Sequence, residues 1–548
     1  MAGASKKTTL TTPSRSTDIL SRVQRAWGES PFYQAQLKGP APDRVLSQPL
    51  DPFTADKDLA RSFARGRISF GEEVIDCEGE IERIWDIAQP GGGIFAFLQE
   101  FSWLRHLTVM EDAGQDVARQ LTRSWLTRNE KWSPEAWAPY FTSERLVNLC
   151  AHHPLVLAKS DATRRSRILT SMARQTRHLA RTAHRSETGF DRLMTSLGLT
   201  IAGFCLPGCE GPAERGLEMA RRELRLQLRP DGAHVSRNPS RQLKLAVRLQ
   251  SVLKAIEARG FQPPGFLRHT VVRTSAMATF FRCADGKLAV FNGGYEDDSK
   301  AITSLQGMLD PESAPSDFAR HSGYHKLTAG RAIVILDAGV ENTGAPFQSA
   351  GSFHFSSGRS RIVTNCGNGT HRAREWSNAL SQRDAHSSLS FGDNRILFEQ
   401  SSHRRAEDSK GQLIEYDREL SMLHEGLAGQ YSRRMFLAAG GGNLRGEERI
   451  EGLSAELIAT AVWRFHLHPS IRASLARDRR SVILLLPNKE GWRFKSNCPN
   501  LRLEKTVYCG EGDAPIAAEQ IVLPASGFGA LKGVQLSARW AFARSDIV

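Results

Sequence analysis

The spacing of apolar residues changes near residue 270, and this change limits what the chain can fold into. Before it, apolar side chains recur every three to four positions. In Gly93–Met110, Phe97, Phe101, Leu104 and Leu107 fall at i, i+4, i+7 and i+10, the stripe of one helix. Residues 144–159, 164–184, 190–208 and 240–260 repeat the pattern, with Pro134, Pro154, Pro207–Gly208 and Pro230 between them and Gly260 as a helix stop. Helix after helix joined by short loops predicts antiparallel hairpins. There are too many for a four-helix bundle, so the expectation is a ring of hairpins, an (α/α) toroid.

After residue 270 the period falls towards two. GKLAVFNGG, GRAIVILDAG, GSFHFSSGRSRIVTNCG, VWRFHLHPSI and SVILLLPNKEGWRFKS are short, bounded by Gly, Asn or Asp, and rich in β-branched and aromatic residues. Many such strands with hairpin turns predict an antiparallel β-sandwich. The expected organisation is a flexible Ser/Thr-rich tail over 1–30, a toroid over 31–270 and a β-sandwich over 271–548.

Composition narrows the function. The chain has 548 residues, and 73 Lys+Arg against 59 Asp+Glu give a formal net charge of +14, which favours polyanionic partners. No apolar run approaches the roughly 18 residues of a membrane span. No apolar leader follows Lys6 and Lys7, so a cytoplasmic location is the default expectation. Aromatic residues are not interleaved with a basic run, which counts against nucleic acid. The eight cysteines are too sparse for a disulfide scaffold. No phosphate-binding loop or His-Glu-x-x-His motif occurs, and no cofactor is expected. His466 and His468 share a strand face with no third ligand near them in sequence, so they read as a surface pair and no metal site is expected.

Two regions concentrate polar chemistry. The inter-helix loop Arg229–Leu243 carries Arg237, Asn238 and Arg241, which can pair with a carboxylate; the same loop also reads as a capped turn. In the second half, His386 lies beside Arg383 and Asp384, and His424 and Tyr431 lie beside Arg433 and Arg434. His or Tyr next to Arg suits removal of a proton adjacent to a carboxylate, the cation offsetting the developing charge.

Taken in order, EFSWLRHL (100–107), PDGAHVSRNPS (230–240), SGYHKLTAGRAIVILDAG (322–339), FHFSSGRSRIVTNCG (353–367), RDAHSSLSF (383–391), RFHLHPSI (464–471) and GWRF (491–494) resemble the heparinase II/III family of polysaccharide lyases. The resemblance implies a toroid followed by a β-sandwich. It also implies β-elimination on a uronic-acid polysaccharide: a Tyr or His base takes the C5 proton, and the 4-O-glycosidic bond breaks. An acidic polysaccharide or oligosaccharide is the implied partner, and the family's usual compartment makes the periplasm the alternative location.

The sequence departs from the family pattern at its chemistry. The Tyr-His expected after the Asp-Gly…Ser-Pro segment falls on Arg241 and Gln242, and Arg is no base at neutral pH. The family's Asn-Asn-His has no counterpart in residues 191–203. Its His-Ala-His-Ala-Asp is replaced by PFQSAGSF (346–353). Of its later zinc partners, Asn365 stands where Asp is expected, and His386 is retained. The reading is a lyase using His386, His424 and Tyr431 as acid–base groups and Arg237, Asn238 and Arg241 as substrate binders. The alternative is a non-catalytic acidic-glycan-binding protein on the same scaffold.

Overall fold

The structure, a computed structural model, describes residues 26–545 except 29, 71–72, 308, 310–316, 341–346, 370–373, 393–395, 423–425, 513 and 529–534. Most of the expected tail lies outside the described residues. Ser30 is already structural, its hydroxyl accepting from Tyr33 N (3.2 Å) to cap the helix Pro31–Gln36.

The first half is helical. The long helices are Glu111–Arg128, Pro139–Ala151, Ala162–Thr182, Phe190–Cys205, Glu210–Gln227, Pro239–Glu257 and Gly265–Phe280. Their starts follow local chemistry. Asp161 caps Ala162–Thr182, and Asn238 with Pro239 at the first helical position opens Pro239–Glu257. Phe190–Cys205 is buried on every side from Leu193 onward. It lies against Glu210–Gln227 at Gly203, where an added Cβ would stand 2.5 Å from Ala213 N.

The stripe expected to form one helix over Gly93–Met110 is instead two short helices, Gly93–Gln99 and Trp103–Leu107. The chain breaks at Phe101, which sits at φ 58°. Its fully buried ring lies 5.0 Å from Trp103 and 5.5 Å from Trp125, so aromatic packing offsets the backbone strain.

A small hairpin, β1 (Arg67–Phe70) and β2 (Glu73–Asp76), precedes the long helices. The sandwich follows with β3 (Phe318–Ala319), β4 (Tyr324–Ala329), β5 (Ala332–Asp337), β6 (Phe353–Ser357), β7 (Ser360–Thr364), β8 (Leu389–Ser390), β9 (Ile396–Asp408) and β10 (Gly411–Met422). It continues through β11 (Gly426–Ala438), β12 (Asn443–Glu451), β13 (Val462–Leu467), β14 (Arg472–Leu475), β15 (Ser481–Leu485), β16 (Gly491–Ser496), β17 (Arg502–Tyr508), β18 (Ile516–Pro524) and β19 (Gln535–Ser545). One sheet has eight strands in the order β14-β15-β16-β19-β12-β11-β10-β9. The other has nine, β17-β18-β13-β7-β6-β5-β4-β3 with β8 paired to β13. Every pairing between these strands is antiparallel. Between the sheets the apolar alternation buries Phe353, Phe465, Trp492, Phe494, Trp540 and Phe542, with Phe353 stacked on Trp540 at 5.7 Å.

The helix Gly265–Phe280 runs through residue 270, and the first sandwich strand begins at Phe318. GKLAVFNGG (286–294) forms no strand, only an isolated bridge between Arg282 and Leu288. Leu288 through Phe291 are all buried, so this run is a packed connector rather than a half-exposed strand, and Leu288 N donates to Glu296 O (2.6 Å).

Candidate functional site

A cleft of about 480 Å3 opens where the toroid meets the connector, and Asn368, beyond the end of β7, also lines it. Its toroid wall comes from the 239–257 helix, which sets Arg241, Lys244 and Arg248 at i, i+3 and i+7 on one face. The facing helix Pro139–Ala151 supplies Tyr140 and Glu144, and the end of the 93–99 helix supplies Glu100. The connector closes the other side with Gly293, Tyr295 and Asp297. Ser240 ties the two walls, accepting from Tyr295 N (2.7 Å) and donating to Asp297.

Charge in the cleft is mostly internally paired. Glu144 accepts from Arg248 (3.0 Å) and lies 3.2 Å from Lys244, which also donates to Tyr140 (3.0 Å). Burial would raise the Glu144 carboxyl, but the two cations outweigh it and hold it at about 2. Glu100 has no such excess of cations. Burial pushes it up to about 7 against the pull of Lys244, and Glu144 adds to the rise. Burial likewise lifts Asp297 to about 7, and raises the Tyr140 phenol. Arg105 pairs with Asp51 at 2.7 Å. Arg241 is exposed, lies 5.3 Å from the Phe190 ring centroid, and makes no ion pair among the described residues.

The residues singled out from sequence are distributed as follows. Asn238 and Arg241 line the cleft. The Asn238 amide is occupied, its oxygen accepting from Arg241 N (3.0 Å) and its nitrogen donating to Asn292 O (2.9 Å). Arg237 points away from the cleft. It is buried in an ion pair with Asp337 and donates to Val340 O (3.1 Å), holding the loop to the sandwich.

His386 lies behind the cleft wall, 1 % exposed, with neither ring nitrogen hydrogen-bonded. Phe347 packs on it, 6.4 Å between centroids, and on the wall residue Gly293. At Gly293, φ is 71° and an added Cβ would stand 2.1 Å from the Phe347 ring, so only glycine admits this ring. Burial lowers the His386 imidazole to about 3. Tyr431 is in the sandwich core. Its hydroxyl donates to Glu448 (2.6 Å), which also accepts from Arg433 (2.9 Å) and Trp540 (2.8 Å). The Tyr–Arg association read from sequence therefore exists as an internal hydrogen-bonded cluster rather than at a substrate surface. His424 lies outside the described residues.

His466 and His468 are buried, not the surface pair expected from alternation. His466 reaches Asp384 O (2.9 Å). His468 lies with Glu296 and Glu511, each offering an atom within 4.8 Å of the others. The donor set does not suit a cation: Glu296 is already bound by Lys287 (2.7 Å) and Tyr508 (2.7 Å) and lies 3.5 Å from Arg361.

The cleft residues missed in the sequence are Glu100, Tyr140, Glu144, Tyr295 and Asp297, together with Lys244 and Arg248. The last two were visible as a basic i, i+4 pair on a helix. Glu144 was masked because its neighbours carry an ordinary core pattern.

The profile of the "Heparinase II/III-like, C-terminal" family matches residues 311–541. FtsZ-localized protein C of Caulobacter vibrioides is 28 % identical over 545 aligned residues, covering 92 % of each chain. Among solved structures, heparinase III superposes with a TM-score of 0.71 at 12 % identity, over 93 % of this chain and 88 % of that one. A heparan sulfate lyase HepC mutant from Pedobacter heparinus gives 0.63 at 13 % identity, over 97 % and 90 %. The helical half, the sandwich and their order are thus those of the heparinase III fold, and residues 311–541 are similar to the heparinase II/III-like C-terminal domain.

Proposed function

We propose that the chain binds an acidic saccharide in the cleft between toroid and connector without cutting it by β-elimination. One observation carries this reading: the acid–base candidates that the structure describes are away from the cleft. His386 is shut behind Phe347, and Tyr431 is bonded to Glu448 in the sandwich core. A base must come within about 3 Å of the proton it takes. No histidine is among the cleft-lining residues described, and Tyr140 there is a poor base because burial raises its phenol. Arg241 is placed to receive a carboxylate, since it has no internal ion pair to give up.

The test is titration calorimetry with uronic-acid oligosaccharides, alongside ultraviolet detection of unsaturated uronates. Expected are binding, a roughly tenfold loss in Arg241→Ala, and no unsaturated product. Product formation would overturn the proposal and direct attention to Tyr140 and Tyr295 as bases.

A second, compatible reading is favoured by the relative that matches along 92 % of the chain. On this reading the protein works alongside FtsZ, in the cytoplasm. A fluorescent fusion should coincide with FtsZ in dividing cells; a diffuse distribution would count against it.

A further inference from the structure

The eight-stranded sheet has a second face, turned away from the core and from the cleft, and its side chains form two parallel rows. Cross-strand registers place Arg539, Glu447, Arg434, Glu415 and Arg404 in one row across β19, β12, β11, β10 and β9. These alternate in sign and pair along the row: Arg539–Glu447 at 3.3 Å, Arg434–Glu447 at 3.8 Å, Arg434–Glu415 at 2.9 Å, and Arg404 with Glu415. The result is a ridge whose charges satisfy one another.

The neighbouring row is Lys495, Ala541, Arg445, Phe436 and Leu413 across β16, β19, β12, β11 and β10. Ala541 is short and the ridge beside it is tall, and a groove of about 620 Å3 lies between them. Its floor changes character along its length. One end is apolar, with Phe436 and Leu413 only partly buried. The other end is basic. Lys495 and Arg445 flank Ala541 and make no ion pair among the described residues, while Arg445 Nε donates to Asn443 (2.9 Å).

We propose that this groove docks an acidic peptide segment in extended form, with carboxylates over Lys495 and Arg445 and an apolar side chain over Phe436 and Leu413. The row crosses four inter-strand gaps of about 4.8 Å, so it is about 19 Å long, the reach of roughly six extended residues. Unpaired cations beside an apolar floor complement a segment that alternates acidic and apolar side chains. The ridge, with Glu447 and Glu415 in it, makes a narrow trough and sets carboxylates beside it. That suits a single chain better than a broad anionic surface such as a membrane. The proposal is independent of the saccharide cleft.

The test uses the full chain and a fluorescein-labelled peptide of about eight residues alternating aspartate with leucine or phenylalanine, read by fluorescence anisotropy. A peptide with lysine for aspartate and vesicles containing phosphatidylglycerol are the comparison probes. The acidic peptide should bind, weakening with salt. Its affinity should fall at least roughly tenfold in the double variant Arg445→Glu, Lys495→Glu, and separately in Ala541→Leu, which fills the floor without changing charge. Either variant serves alone if the other does not fold by circular dichroism. The proposal is overturned if the acidic peptide does not bind, if the lysine peptide binds equally, or if both variants leave binding unchanged. It is also overturned if vesicles bind through Arg445 and Lys495 while the peptide does not.

Discussion

Arg248 and Glu144, 104 residues apart in sequence, meet at 3.0 Å across the floor of the cleft, and Lys244 reaches the same carboxylate oxygen at 3.2 Å. Two cations on one helical face thus share one buried anion on another helix. The arrangement fixes the spacing of the two helices and leaves Arg241, one turn earlier, as the cation free to meet a ligand.

Removing the shared anion should therefore cost more than an ordinary surface substitution. Glu144→Gln leaves Arg248 and Lys244 facing each other without a counter-charge. It should destabilise the chain by about 3 kcal/mol in urea unfolding, whereas the exposed Arg241→Ala should change stability by less than about 0.5 kcal/mol. Equal effects of the two would mean that the cleft floor is solvated.

The pH dependence follows from the two carboxyls with opposite shifts. Glu100 keeps its proton in the folded chain up to about 7, while its ordinary value is 4.5. Across that window the folded state holds more protons than the unfolded one, so stability falls as pH rises, then levels off above about 7. Glu144 acts in the opposite sense: held at about 2, its contribution is present above 4.5 and lost as pH falls towards 2. Glu100→Gln should abolish most of the decline on the alkaline side. Its stability relative to the parent should rise by about 3 kcal/mol between pH 4 and pH 8. Parallel stability–pH curves for the two proteins would reject this assignment.

The architecture was legible because apolar period reports directly which faces are buried, and it passes from 3.6 towards 2 along the chain. Two elements escaped it for physical reasons. Phe101 sits at φ 58°, and apolar spacing says nothing of backbone strain that a buried aromatic cluster offsets. Residues 286–294 look like a strand because continuous burial and a half-buried strand recruit the same residue types. The site was only partly legible. Arg241 and Asn238 were found from their loop, but Tyr431 was misplaced because alternation says that a residue faces one side of a sheet, not which side is the core. Glu100 and Glu144 become a site only when three helices converge, and no local pattern announces that.

Tyr431 distinguishes a structural from a chemical role. Its hydroxyl bonds to Glu448, which Arg433 and Trp540 also hold. Tyr431→Phe removes one of these bonds and should destabilise the chain by about 1–2 kcal/mol, leaving saccharide affinity unchanged. Lost affinity in a protein that remains folded would place Tyr431 in the binding machinery after all.

Phe347 makes the sharpest test of the closed wall. Its ring fills the space between Gly293 and His386 and keeps an imidazole without hydrogen-bond partners apart from the cleft. His386 is held neutral there, the form that diethyl pyrocarbonate acylates, so only access protects it. In the parent protein, mass spectrometry should find exposed His321 modified while His386 is not. Phe347→Ala should cost about 2 kcal/mol, since the ring is only partly buried, and should bring His386 modification close to that of His321. If His386 stays protected in a folded Phe347→Ala protein, another side chain closes the wall. If it is already modified in the parent, the imidazole communicates with the cleft and the non-cleaving reading loses its main support.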